Sequence, residues 1–249
     1  MTRNDVDMIT SKPQIIGPAL RPSVHSQTHT ASAVQASAPY RISKRLFDFS
    51  VALISLILLS PLLLLIALAI KLDDGDPVLI TQKRIGLGGK PFKFYKFRSM
   101  AVGAAQREDH KKFAQQMIRG EITKGPKSNG GLLKPTGEGR VITHVGKIMR
   151  KTSLDELPQL YNILIGDMSL VGPRPSMDYE VEVYKDWYMP RLSVLPGVTG
   201  LAQVNGRSSI PFPEIVRWDL RYIEIRSFWT DISIILKTLP VVVGMRHTG

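Results

Sequence analysis

From Val51 to Ile70 the chain runs for twenty residues without a charge, polar only at Ser55 and Ser60, with Pro61 near the centre. A straight helix of that length reaches ~30 Å, barely the thickness of the hydrocarbon layer of a bilayer. Pro61 has no amide to pair with the Ile57 carbonyl, and its ring crowds that oxygen. Ser60 is placed to turn its hydroxyl back onto the preceding turn and satisfy freed backbone groups. The run therefore predicts a helix broken at Ser60 and Pro61, with halves of ~15 Å that reach the midplane and return. Flanking charge agrees. Arg41, Lys44 and Arg45 precede the run, and Lys71, Lys83 and Arg84 follow it. The positive-inside rule puts both clusters on the cytoplasmic side, which a re-entrant hairpin satisfies and a spanning helix does not. A Pro-kinked spanning helix and a buried core helix are the alternatives this segment leaves open. Basic flanks near an anionic leaflet add about 1 kcal/mol each to attachment.

The formal net charge of +12 asks for an anionic partner: nucleic acid, anionic lipid or a phosphorylated substrate. With no cysteine, disulfides and thiolate metal sites are excluded, as suits a reducing compartment. The first forty residues hold no apolar stretch, so no signal peptide is expected there. Rich in Ser, Thr, Ala, Gln, His and Pro, residues 1–40 read as a disordered tail, and His25 and His29 find nothing nearby to complete a metal site.

Beyond the membrane run, Lys93–Phe97 alternates as a short strand, to be paired with 76–80 through the turn at 86–91. Residues 101–118, 156–165, 177–188, 213–226 and 229–243 read as helices, and the Gly-rich run 195–207 as turns. Six glycines and two prolines make 120–139 a flexible loop, either an insertion or a lid. The last helix, opened by Trp229 and interrupted by Lys237 and Pro240, is too short to span; it suits the membrane interface or the core.

The chemistry concentrates between Arg150 and Pro175. Asp155 and Glu156 are adjacent carboxylates, and Arg174 stands between Pro173 and Pro175, which restrict its backbone. Ser153 to Glu156 also matches a capping box, in which Glu156 would merely reach back to the Ser153 amide. Pro158 fits poorly in such a helix, being past the first position. A helix start would equally attract phosphate and favour an ionised carboxylate. Both readings stand on the residues alone.

The run Lys151-Thr152-Ser153-Leu154-Asp155-Glu156-Leu157-Pro158-Gln159-Leu160 and the run Met168 to Pro175 resemble the bacterial sugar transferase family, the small monotopic phosphoglycosyl transferases. Gln82 to Gly86, Lys96 to Met100, Pro196 to Gly200, Gln203 and Gly206-Arg207 match as well, and Ser60-Pro61 matches the break of the family's re-entrant helix. The likeness covers roughly residues 41–249. Where the family usually carries Asp-Pro-Arg-x-Thr, this chain has Glu138-Gly139-Arg140-Val141-Ile142-Thr143, without the proline and with the arginine shifted. It resembles the short form of the family.

The resemblance implies a mainly α fold with a small β-hairpin, arranged as a monotopic membrane protein of the bacterial inner membrane. Residues 41–72 form the Pro-broken re-entrant helix, and 73–249 a catalytic domain on the cytoplasmic face with interfacial helices. It implies transfer of a hexose 1-phosphate from a UDP-sugar, UDP-galactose or UDP-glucose, to undecaprenyl phosphate, starting exopolysaccharide or O-antigen repeat units. Asp155 is the expected nucleophile, forming an acyl-phosphate adduct and releasing UMP. Glu156 is the expected Mg²⁺ ligand, since that cation takes one or two carboxylates plus substrate phosphate oxygens. Arg174 is the expected phosphate clamp, and Arg150 either a second one or a surface residue. Lys83, Arg84 and Arg98, just past the membrane run, are placed for the lipid phosphate or for head groups; Gln203 and Arg207 match motif positions without an assigned role. Expected partners are inner-membrane lipids and the later glycosyltransferases of the pathway, with no nucleic acid; homo-oligomerisation is left open.

Three other classes fit less well. A membrane-anchored nucleic-acid binder would explain the charge, but the chain carries no recognisable binding motif of that kind and only 7% aromatic residues. A silent scaffold would not need the Asp155-Glu156 pair. A two-carboxylate glycosidase needs its carboxylates flanking a bond, which sequence neighbours are poorly arranged to do.

Overall fold

The computed structural model describes residues 37–75, 77–100, 106–122, 127–128, 131–132, 142–206 and 210–243. Most of the tail, with His25 and His29, most of the Gly-rich stretch 120–139, and Arg207 lie outside the described residues.

Helix α1 runs unbroken from Ala38 to Asp74, taking in the last three residues assigned to the tail. Pro39 sits in its first turn, where a missing amide costs nothing, and Gly75 closes it with φ 72° and its N–H on the Lys71 carbonyl. Pro61 does not end the helix, contrary to the break expected from sequence. The reason lies next door: the Ser60 hydroxyl donates to the Ile57 carbonyl at 2.8 Å, the oxygen that Pro61 leaves without its amide. α1 is long and apolar enough to cross a membrane, and only 11% of its most apolar window is buried in the protein. Ile54, Ile57, Leu58, Leu64 and Leu65 are exposed around the proline, a surface that asks for lipid.

Both ends of α1 are fastened to the rest of the protein. Near the start, Lys44 meets Asp231 at 2.8 Å, Arg45 donates to the Ile163 and Leu164 carbonyls, and Asp48 accepts from the Ser169 hydroxyl at 2.7 Å. Ala52 packs there with Phe94, Ile163 and Met168. Near the end, Ile66 and Ile70 pack with Phe97 and Met149, and Asp73 accepts from the Val145 amide at 3.0 Å.

Strands β1 (Leu79–Ile85) and β2 (Pro91–Phe97) form an antiparallel hairpin with Thr81 opposite Tyr95. The expected strand at 93–97 is present, but its partner is 79–85 rather than 76–80. A hairpin pairs the residues nearest its turn, here closed by Gly88 and Gly89 at positive φ. Helix α2 (Gln106–Arg119) and the two-residue strands β3 (Lys127–Ser128) and β4 (Gly131–Leu132) follow. Then come α3 (His144–Thr152), a 3-10 turn at Leu154–Glu156, and α4 (Gln159–Ile165).

Strand β5 (Ser169–Val171) pairs in parallel with β6 (Gly197–Thr199), which opens the Gly-rich run expected as turns. The glycines there serve close approach: a Cβ on Gly172 would lie 2.4 Å from the Leu195 carbonyl oxygen. Between the two strands, the helix expected over 177–188 is instead one turn, α5 (Asp178–Val181), and a 3-10 segment at Asp186–Ser193. Tyr184 and Tyr188 turn inward there and meet the Phe212 ring edge-on or tilted. Short helix α6 (Leu201–Asn205) leads to α7 (Phe212–Ile225) and α8 (Phe228–Val243), both close to expectation. The inner face of α8 carries buried Ile234, packed with Val171, Leu201, Tyr222 and Ile223. Its outer face carries Trp229, Leu236 and Leu239, all exposed.

Candidate active site

Helix α3 starts on a side-chain cap, Thr143 Oγ1 accepting from the Gly146 amide, and ends at Ser153. Ser153 is the one non-glycine residue at positive φ among the described residues, at 58°. Its left-handed backbone turns the chain through nearly one helical step and sends Asp155 inward, where the residue is 7% exposed. The capping-box reading does not materialise: the Ser153 side chain makes no cap bond. Glu156 instead meets the Arg174 guanidinium, Oε1 to Nη2 at 2.7 Å.

Lys96, from β2, places its ammonium 3.1 Å from Asp155 Oδ2. A nearly buried carboxylate needs such a partner. Arg174 is held from behind. Its segment has no ladder of its own, yet successive carbonyls are each taken: Pro173 by the Gly197 amide at 2.9 Å, Arg174 by Arg191 Nη2 at 3.3 Å, Pro175 by Arg84 Nη1 at 3.1 Å, Ser176 by the Ile85 amide at 2.8 Å. Glu156 pushes the Arg174 guanidinium further above its ordinary value. Burial pushes the Arg84 guanidinium down, Glu180 opposing and the Arg174 charge adding.

The structure thus brings together Asp155, Glu156, Arg174 and Arg84. Lys83 points elsewhere, 3.5 Å from Asp178 on an exposed flank. Arg98 is 4% exposed and donates to the Gly75 carbonyl at 2.6 Å, so it fastens the end of α1. Arg150 lies beside the sulfur of Met100 at 3.4 Å. Gln203 lies at the glycine crossing, near the position a Cβ on Gly200 would occupy. Three residues to which the sequence reading gave no role belong to the constellation: Lys96, Arg191 and Asp219. Lys96 fell inside a matched motif. For the other two no local signal exists, because they meet only through the fold.

Asp155 and Glu156 offer carboxylate oxygens, the donor type a hard cation takes, though Oδ2 of Asp155 and Oε1 of Glu156 already meet Lys96 and Arg174. Among the described residues no group of three His, Cys, Asp or Glu forms a metal cage.

The bacterial sugar transferase family matches residues 39–245. The chain belongs to that family. Among sugar transferases, the galactosyl transferase CpsE of Streptococcus agalactiae is 44% identical over 202 residues, covering 81% of this chain and 42% of CpsE. The exopolysaccharide production protein ExoY of Sinorhizobium fredii is 38% identical over 207 residues, 81% of this chain and 85% of ExoY. The undecaprenyl-phosphate galactose phosphotransferase of Salmonella typhimurium is 40% identical over 209 residues, 84% of this chain and 42% of that protein. The chain spans about two fifths of CpsE and of the Salmonella protein, and most of ExoY. In this sugar transferase, one helix is long and apolar enough to cross a membrane.

Proposed function

We propose that the chain transfers a hexose 1-phosphate from a UDP-sugar to undecaprenyl phosphate through a covalent adduct on Asp155. A carboxylate oxygen of Asp155 attacks the sugar-bearing phosphorus, the bond to the bridging oxygen breaks, and UMP leaves. A phosphate oxygen of the lipid then attacks the same phosphorus, the Asp155 oxygen departs as carboxylate, and a lipid diphosphate sugar results. Supporting this reading above all is the placement of Asp155: inward, paired with Lys96, and adjacent to the Glu156–Arg174 pair.

Phosphoryl transfer is mainly positioning and charge neutralisation. Lys96 orients the nucleophilic oxygen and compensates its charge. Arg174, on a segment fixed at successive carbonyls, offers a fork for equatorial phosphate oxygens. Glu156 turns Arg174 toward the substrate and would hold Mg²⁺ with Asp155 close by. Bound there, the cation would neutralise charge on the phosphates. Arg84 adds positive charge beside this centre, while Gln203 and Arg207, which match family motif positions, are secondary candidates for substrate contact.

The same reading puts the enzyme on the cytoplasmic face of the bacterial inner membrane, with α1 re-entrant. A helix whose start holds Asp231 and Ser169 and whose end holds Val145 has both ends on one body. A body on one side of the bilayer then keeps both ends there. Product would pass to later glycosyltransferases, and UDP-galactose and UDP-glucose are the first donors to test.

The test is incubation of detergent-solubilised protein with Mg²⁺ and a panel of UDP-sugars, with and without undecaprenyl phosphate. UMP release that needs the lipid for full turnover and vanishes in Asp155→Asn is expected. Substantial turnover in that variant rules out this nucleophile; no UMP from any donor favours a scaffold.

A further inference from the structure

We propose that Arg191 and Asp219 are positioning residues: a buried ion pair that sets where Arg174 stands. The inference rests on the transfer reading above and adds a requirement to it. Arg191 lies in the 3-10 segment between the parallel strands and is 4% exposed; Asp219 lies on α7 and is 1% exposed. Arg191 Nε meets Asp219 Oδ2 at 2.8 Å. A charge buried this far persists only with a partner and with its remaining donors satisfied. Those donors are spent on one place. Nη1 reaches the Tyr184 hydroxyl at 2.5 Å and Ser176 Oγ at 3.4 Å, and Nη2 reaches the Arg174 carbonyl. The guanidinium also lies 5.3 Å from the Phe212 ring centre and 5.8 Å from that of Tyr184, which fixes its plane.

The chain of contacts is therefore continuous: Asp219 orients Arg191, Arg191 holds the backbone of Arg174 and the side chain of Ser176, and the Arg174 side chain faces Glu156. Asparagine at 219 keeps the shape and removes the charge, leaving the Arg191 cation buried without compensation. With its ion-pair partner gone the guanidinium is no longer fixed through Nε, and the bond from Nη2 to the Arg174 carbonyl weakens with it. Displacements of ~1 Å in a positioning element are enough to slow a reaction by ~10²-fold.

A structural role alone, pinning the 3-10 segment to α7, would lower stability without regard to Arg174. A double-mutant cycle separates the two. Asp219→Asn is expected to lower kcat for UMP release by at least tenfold with KM changed less than threefold. In an Arg174→Ala background the same substitution is expected to cost almost nothing more. Losses that multiply, or no loss at all, overturn the proposal. Tyr184→Phe, which removes a partner of Arg191 and no charge, serves if Asp219→Asn does not fold, and is expected to show a smaller, equally Arg174-dependent loss. Hydrogen exchange gives a readout free of activity. The Gly197 and Ile85 amides, which donate to the Pro173 and Ser176 carbonyls on either side of Arg174, should exchange faster in Asp219→Asn while those of α8 keep their protection; unchanged exchange overturns the proposal. A wild-type protein that releases no UMP would sink the transfer reading, and the exchange result would still decide the positioning one.

Discussion

The Lys96 ammonium stands 3.1 Å from Oδ2 of Asp155, and this contact joins the second strand of the hairpin to the turn after α3. It is the only ion pair of Asp155 among the described residues. Lys96→Met leaves a nearly buried carboxylate without its partner, and a fall in UMP release of ~10²-fold or more is expected. Lys96→Arg keeps the charge in a different shape and should recover part of that loss. Steady-state rates of the two variants against wild type check this, and equal rates for both would remove Lys96 from the site.

Arg174→Lys tests the fork. Lysine carries the charge and loses the planar pair of donors, so a loss of ~10–100-fold is expected despite the conservative appearance. Glu156→Gln should instead raise the Mg²⁺ concentration needed for half-maximal rate, since the amide is a poorer ligand for a hard cation. A magnesium titration that superimposes on wild type would count against Glu156 as ligand.

Gly146→Ala reverses an ordinary rule. In a helix interior alanine normally stabilises by about 1 kcal/mol over glycine. Here the added Cβ would fall 2.1 Å from the Ser99 carbonyl oxygen. Backbone must shift to make room, so α3 and the turn carrying Asp155 are expected to loosen, with a Tm lowered rather than raised. Thermal unfolding of the single variant decides the sign.

Burial against the pull of Arg191 pushes the Asp219 carboxyl from its ordinary 3.8 up to about 6. Two consequences follow with opposite signs. Below about pH 6 the carboxyl gains its proton and Arg191 loses its counter-charge, so UMP release should fall on an acid limb that Asp219→Asn flattens. Stability moves the other way. Between 3.8 and about 6 the folded protein keeps a proton the unfolded chain has shed, so this group's contribution is full below 3.8 and is lost as pH rises through about 6. Comparing the pH dependence of Tm in wild type and Asp219→Asn isolates that contribution.

Much of this arrangement was legible in the sequence because it is local. The apolar run with Ser60 and Pro61, the alternation at 93–97 and the periodicity of the last two helices each announce themselves within a short window. The carboxylates and Arg174 stood out as a charged cluster, although whether Glu156 caps a helix or pairs with Arg174 was not legible. That choice depends on Ser153 adopting a left-handed backbone, which a serine rarely does. The strands β5 and β6 are three residues each and pair across a long connection, too brief for a periodic signal. Asp219 lies on a helix whose pattern says only that one face is inside. Its meeting with Arg191 is a property of the packed fold.

Helix α1 leaves one more consequence. Its first part grips Ser169, two strand residues before the segment that carries Arg174; its last part grips the start of α3, which delivers Asp155. The segments that carry Arg174 and Asp155 are thus both tied to one helix, at its two ends, while its middle is exposed and apolar. On the proposed function, rates measured in vesicles of graded acyl length should pass through an optimum, whereas a flat response would mean the helix transmits nothing. An optimum would make the thickness of the membrane a mechanical load on the reaction, with the bilayer as the outer wall of the enzyme's jig.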